Sequence, residues 1–246
     1  MLLKNKLAII ILAAGKGTRM GSDIPKVLHQ INNKSMIEHV ISKTNELKPE
    51  KLLVVVGYKA DQVKVHLKHC KLEYALQKEQ NGTGHAVMQC KQNLNNFEGQ
   101  TLILSGDVPL IRTNTLIDLY NAHINENAQA TILSSKINNP HGYGRILRKN
   151  NCFDSIVEEK DATENQKNIN EINAGVYIFN NQVLFKNIHK INNQNNQSEY
   201  YLPDIMQIIM KNDGKIFIHQ IKDEYEIKGV NTIKQLSELE KYAQKT

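Results

Sequence analysis

The sequence predicts an α/β fold: a doubly wound, mostly parallel sheet with a β-rich lobe added to it. Three observations carry this. Apolar runs of strand length, Leu7 to Leu12, 52–58 and 101–107, alternate with segments of helical spacing. The alternation repeats four times, which favours parallel strands joined by right-handed crossovers. Beyond residue 136 the pattern changes to shorter strands of antiparallel type, and no Pro-, Gly- or Ser-rich linker separates the parts. The chain is therefore expected to form one domain over 1–246, with halves 1–136 and 137–230 and a closing helix at 231–246.

The elements follow in order. LAIIIL is continuous and rich in isoleucine, as a strand buried on both faces should be. Met36, Ile37, Val40, Ile41 and Leu47 trace one helix face. LLVVVGY is a buried strand, followed by a helix over about 61–69, a strand LEYALQ, a helix over about 85–94 and the strand TLILSGD. The strand ends carrying Gly15, Gln77 and Asp107 should then share one edge. TILSSKI and GRILRKNNCFDSIVEEKDA read as antiparallel strands, the second a hairpin turning at Lys149-Asn150-Asn151. INAGVYIF is a strand, EYYLPDIMQIIMKNDG a helix closed by Gly214, KIFIHQIK a strand, and GVNTIKQLSELEKYAQK an amphipathic helix with Leu236 and Leu239 inward.

Composition narrows the class. Hydrophobic residues make up 40% and charged residues 23%, a globular balance. No apolar run approaches a membrane span, and the first strand lacks a cleavage site, so a soluble cytoplasmic protein is expected. Cys70, Cys90 and Cys152 are odd in number and widely spaced, which suits free thiols. The net charge of +6 suits a polyanionic partner, but the lysines are scattered among acids without a basic helix or arm. Nucleic acid is thereby disfavoured. The pair His66 and His69 in HLKHC lacks a second cluster to complete a zinc site and reads as a solvated helix face.

The loop after the first strand, AAGKGTRMG, holds three glycines with Lys16 and Arg19, and Lys26 follows a turn later. A dinucleotide fingerprint fails here, because the sixth position from Gly15 is Met20 and no second strand delivers an acid about 20 residues on. A P-loop fails as well, since Lys16 is followed by Gly17. An ordinary βα turn is the plain alternative; the three cations favour an anion. Ser105-Gly106-Asp107 puts a carboxylate at the ligand edge beside approachable backbone, or else a turn aspartate. A carboxylate next to a phosphate loop is tolerable when a cation lies between them, and Mg²⁺ is the natural one. No H-E-x-x-H or G-x-S-x-G supplies a base or nucleophile.

Taken together, LAAGKGTRM, PKVLH, QNGTGHA, GDVPL, GYGRI, IVEEKDA, EINAGVY, SEYYLPD and EIKGVN resemble, in order and along nearly the whole chain, the bacterial N-acetylglucosamine-1-phosphate uridylyltransferases. The resemblance implies a Rossmann-like nucleotidyltransferase sheet whose first part, 1–136, binds nucleotide and whose lobe, 137–230, binds sugar. It implies that UTP and N-acetylglucosamine 1-phosphate are the substrates and Mg²⁺ the cofactor. By the same resemblance Leu12, Ala13, Ala14 and Gly15 hold the uridine side, with Gln77, Gly82 and Thr83 selecting uracil and Ser105 and Gly106 beside them. Gly144, Glu158 and Asn173 line the sugar pocket, Asp107 and Asn231 hold the metal, Lys26 bridges the phosphates, and Arg19 with Lys16 takes the triphosphate tail. A nucleotidylyltransferase for another sugar 1-phosphate is the alternative.

Two residues depart from the family's pattern. Asn81 stands where an apolar residue is usual, and Pro203 where a threonine is common; a proline fits the first turn of that helix. The family's bifunctional members continue into an acetyltransferase domain of hexapeptide repeats, which these 246 residues do not contain. A single activity and a monomer or weak dimer are therefore expected, since the family's trimer contacts lie largely in that domain.

Overall fold

The computed structural model describes residues 5–244, so the last two residues of the expected closing helix lie outside the described residues. The first half comprises β1 (Leu7–Ala13), a small ribbon of β2 (Gln30–Ile31) and β3 (Lys34–Ser35), α1 (Met36–Asn45), β4 (Lys51–Val56), α2 (Ala60–His66), β5 (Glu73–Leu76), α3 (Thr83–Met88), α4 (Lys91–Leu94), β6 (Gln100–Ser105) and α5 (Thr113–Asn125). Then come β7 (Ala130–Lys136), β8 (Arg145–Lys149), β9 (Cys152–Val157), α6 (Glu164–Lys167), β10 (Glu171–Asn180), α7 (Asn181–Asn187), α8 (Ile205–Met210), β11 (Ile216–Ile221) and α9 (Ile233–Ala243).

Nine strands form one sheet in the order β11-β7-β10-β6-β1-β4-β5, with the β8–β9 hairpin branching from β10. Pairing is parallel for β4–β5, β1–β4, β1–β6 and β7–β11, and β10 alone on the main path runs against its neighbours. The carboxyl ends of β1, β5 and β6 and the start of β10 thus meet at one edge. Both faces are covered, as the isoleucine run demands. Leu7, Ile9 and Ile11 pack with Ile37, Val40 and Leu116 on one side. Ala8 and Ile10 pack with Val87, Leu184 and Ile205 on the other.

Some local expectations are corrected. The helix expected over 85–94 is two short ones, α3 and α4, broken after Met88. Helices α5 and α7 occupy segments to which the sequence reading assigned no element. Strand β11 lies parallel to β7, the crossover running through α8. Helix α1 ends at Asn45, so Leu47 is buried just beyond it. Gly214 does not supply the left-handed turn after α8; Asp213 does, at φ 57°. Gly214 is there for space, because a Cβ would lie 2.3 Å from Ile209 Cγ2. The hairpin turn at Asn150-Asn151 is as read, with φ of 51° and 62°. Leu239 of α9 is buried against Met20, Ile31, Met36 and Val230, and Leu236 packs beside it. Among the described residues the three cysteines are free, and no helix is long and apolar enough to cross a membrane.

Candidate active site

The edge where β1, β5 and β6 end carries a cavity of about 330 Å³. The cavity is lined by Leu12, Ala13, Ala14 and Gly15, by Gln77, Gly82 and Thr83, and by Ser105 and Lys26. The parallel register explains the meeting: Leu12 lies opposite Ser105, and Gly106 donates its N–H to the Leu12 carbonyl at 2.9 Å. Gln77 is buried, and its Nε2 donates to the Gly82 carbonyl at 3.1 Å. That contact directs the amide oxygen away from Gly82. Gly82 is held at φ 102°, where a Cβ would meet the Tyr200 carbonyl at 2.6 Å, so glycine is required there.

The segment 199–202 closes over this loop. Tyr200 N–H donates to the Asn81 carbonyl at 2.8 Å, Gly84 N–H to the Tyr200 carbonyl at 2.7 Å, and Leu202 N–H to Thr83 Oγ1 at 3.0 Å. Tyr177, Gly175 and Glu199 also line the cavity. They lie within EINAGVY and SEYYLPD, where no residue-level signal marks any of the three for a role. Pro203 sits in the helical turn Leu202–Asp204 that leads into α8, as its fixed φ favours. Asn81 turns its amide to Glu79 Oε2 at 3.1 Å.

At Lys26, on the cavity lining, residues from three parts of the chain converge. Lys26 Nζ donates to Asp107 Oδ2 and, at 3.1 Å, to Asn231 Oδ1. Arg19 Nη2 reaches the same Asn231 oxygen at 3.0 Å. The approach of Asn231 to Asp107 is secured by backbone, Val230 N–H donating to the Asp107 carbonyl at 3.0 Å. Gly17, at φ 62°, lets Lys26 pass, since a Cβ there would lie 2.5 Å from Lys26 Cβ. Lys16 is exposed and stands apart, lining a neighbouring cleft with Thr18, Ser22 and Tyr58.

Asp107 and Asn231 offer one carboxylate and one amide oxygen, both hard donors, and a cation already rests on both as the Lys26 ammonium. Two protein oxygens with room for waters and phosphate are what Mg²⁺ takes, so the donor set fits that ion. His66 and His69 both face Glu38, at 3.0 and 3.3 Å. Hydrogen bonds from Ser35 and His66 outweigh burial and hold Glu38 down at about 2.

Behind Tyr177 and Gly175 of the cavity lining, to which Asn173 is bonded, Gly144, Glu158 and Asn173 come together. A Cβ at Gly144 would be 3.0 Å from Glu158 Oε1, and Asn173 N–H donates to the Gly144 carbonyl at 2.9 Å. Burial, reinforced by Asp204 and Asp161, pushes Glu158 up to about 7. Asp204 is likewise raised to about 6 by burial and Asp161. Asn173 is buried in the bulge of β10, its Nδ2 donating to Tyr177 Oη at 2.7 Å and its Oδ1 accepting from Gly175 N–H at 3.1 Å.

Residues 8–225 match the model of the nucleotidyl transferase family. The chain belongs to this family. Its members are nucleotidylyltransferase enzymes, and so is this one. This nucleotidyl transferase is 47% identical over 233 residues to the bifunctional protein GlmU of Staphylococcus saprophyticus, covering 94% of this chain and 51% of that protein. The bifunctional protein GlmU of Prochlorococcus marinus is 46% identical over 241 residues, covering 97% and 53%. The chain spans about half the length of these curated relatives. A crystal structure of UDP-glucose pyrophosphorylase with UDP-glucose superposes over 100% of both chains with a TM-score of 0.76 at 18% identity, a likeness of fold.

Proposed function

We propose that this nucleotidyl transferase moves a uridylyl group from UTP to N-acetylglucosamine 1-phosphate, giving UDP-N-acetylglucosamine and pyrophosphate. The observation that supports it most is the convergence of Arg19, Asp107 and Asn231 on Lys26, which lines a cavity together with Gln77, while Asn173 is bonded to Tyr177 and Gly175 of the same lining. A phosphate oxygen of the sugar phosphate attacks the α-phosphorus of UTP. The new P–O bond forms as the bond to the departing pyrophosphate breaks. That oxygen is already ionised at neutral pH, so no general base is needed and the barrier is charge repulsion and alignment.

Lys26 and Arg19 neutralise the phosphates as charge shifts to the leaving pyrophosphate, and Lys16 attracts the triphosphate tail from the adjoining cleft. Asp107 and Asn231 would hold Mg²⁺, which when bound supplies a fixed positive charge on the phosphate oxygens. Leu12 to Gly15 hold the ribose side by backbone, with Ser105 and Gly106 below. Gln77, its amide nitrogen engaged by Gly82, offers an acceptor to the uracil N–H, which cytosine lacks. Glu158 accepts sugar hydroxyl protons, and Asn173 meets the acetamido group with the donor and acceptor capacity its two internal bonds leave free.

The test is pyrophosphate release across a panel of nucleoside triphosphates and sugar 1-phosphates with Mg²⁺. Release confined to UTP with N-acetylglucosamine 1-phosphate supports the proposal. Release with a different sugar phosphate moves the assignment to that sugar, and silence across the panel refutes sugar nucleotidyl transfer.

A further inference from the structure

Arg145 has 1% of its surface exposed, the most completely buried arginine position in the lobe that carries Glu158. A guanidinium keeps its charge at any physiological pH and brings five N–H donors, so burying it is costly unless those donors are met. Here they are. Nη2 lies 2.8 Å from Glu159 Oε2 and 3.2 Å from the Lys167 carbonyl, Nε donates to the same carbonyl at 3.4 Å, and Nη1 donates to the Tyr143 carbonyl. One side chain thus ties the entry to β8 to both ends of the 158–167 segment that follows β9.

The backbone of Arg145 is equally central. It pairs with Val157 of β9, and its pairing with Ile172 is the contact that joins β8 to β10. Each proposed sugar residue is the chain neighbour of one member of this triple: Gly144 precedes Arg145, Glu158 follows Val157, and Asn173 follows Ile172. Three residues from three strands keep their mutual spacing through one point. The hairpin is rooted on β10 by that pair, by the Asn173 N–H bond to the Gly144 carbonyl and by Arg148, which donates to Glu171 at 2.7 Å through both Nε and Nη2. None of those ties reaches the loop beyond β9, and the Arg145 guanidinium supplies one by holding Glu159 and the Lys167 carbonyl. Its charge also acts on Glu158, opposing the effect of burial on that carboxyl.

We infer that Arg145 is the positioning residue of the sugar pocket, holding Glu158, Gly144 and Asn173 at the spacing that selects the sugar, while the nucleotide side is built independently of it. This rests on the proposed sugar role of those three residues. The partners of the guanidinium are Tyr143, Glu159 and Lys167, and none of these lines the cavity formed by Leu12 to Gly15, Gln77, Gly82 and Thr83.

The experiment compares Arg145→Lys, Glu159→Ala and Glu158→Gln with the unaltered enzyme, measuring KM for N-acetylglucosamine 1-phosphate and for UTP, kcat, and the preference for that sugar phosphate over glucose 1-phosphate. Lysine keeps the charge but loses the fork that reaches three partners. Arg145→Lys should raise the sugar-phosphate KM by about tenfold or more and narrow the sugar preference, with the UTP KM within about twofold of the unaltered enzyme. Glu159→Ala should shift the same two quantities in the same direction, and it decides the matter if Arg145→Lys fails to fold. An equal rise in both KM values, or an unchanged sugar KM in a folded variant while Glu158→Gln raises it, overturns the inference. If Glu158→Gln itself leaves the sugar KM unmoved, the sugar-pocket assignment is what fails.

Discussion

Replacing Asp107 by alanine separates the site's chemistry from its architecture. The side chains of Lys26 and Asp107 are only 16% and 11% exposed, so their pairing is weakly screened. At an effective dielectric of about 20 and about 4 Å, two unit charges attract by about 4 kcal/mol, much of it offset by the desolvation of both groups. Losing the carboxylate leaves the ammonium on Asn231 Oδ1, and the net cost should be about 1–3 kcal/mol, as for a charged hydrogen bond. For a chain of this size that lowers Tm by roughly 2–12 °C. The Asp107 carbonyl still accepts from Val230 N–H, so the strand end and the 229–231 segment stay joined. Turnover should fall far more. Asp107 is the one anionic donor of the proposed metal pair, and if the charge it recruits is worth about 3–5 kcal/mol in the transition state, kcat drops by roughly 10²–10⁴. The assays are thermal unfolding by circular dichroism and pyrophosphate release titrated with Mg²⁺. A kcat within a few fold of the unaltered enzyme at saturating Mg²⁺ would refute the reasoning, as would an activity loss fully accounted for by unfolding at the assay temperature.

Lys26→Ala should lower kcat more than it raises KM for either substrate, since its charge counts most as pyrophosphate departs; steady-state kinetics showing a change confined to KM would make it a ground-state binder. Glu158, raised to about 7, holds its proton more tightly in the folded chain than in the unfolded one, so its contribution to stability is complete below about pH 4.5 and is lost as pH rises through about 7. Over the same rise the ionised carboxylate becomes able to accept sugar hydroxyls, so kcat/KM for the sugar phosphate should climb from pH 6 to 8, and Glu158→Gln should remove both trends in melting and kinetic profiles. Gly82→Ala forces a side chain into a φ of 102° and against the Tyr200 carbonyl, and should cost about 1–3 kcal/mol in a melting experiment while raising the KM for UTP; unaltered UTP kinetics would show that the 81–84 loop does not shape the nucleotide cavity.

What the sequence determines here is local. The isoleucine run of β1 is uniformly apolar because both faces of that strand are covered, so the run marks it without any knowledge of its neighbours. The glycines of the following loop and the Ser105-Gly106-Asp107 strand end are legible for the same reason, since conformational freedom and strand termination are encoded by adjacent residues. Helix α5 escaped because the face it buries mixes Leu116, Leu119 and Tyr120 with Thr115 and His123, so its apolar period is diluted. The 85–94 segment carries no Gly or Pro to mark the break between α3 and α4, so the two short helices read as one.

The site itself is a product of tertiary structure. Lys26 and Asn231 are 205 positions apart, and nothing in the neighbourhood of either signals that both meet Asp107; the parallel register of β1 and β6 and the Val230 bond to Asp107 bring them together. Read from its surroundings in the chain, Glu158 is an ordinary hairpin acid and Arg145 an ordinary strand cation. Burial is conferred by residues distant in sequence, and it is burial that lifts the Glu158 carboxyl toward neutrality and obliges the Arg145 guanidinium to take every partner within reach. The order of residues specified which strands form and where they end, whereas the charge state and spacing of the groups at those ends were decided only when the sheet brought them within a few ångströms of one another.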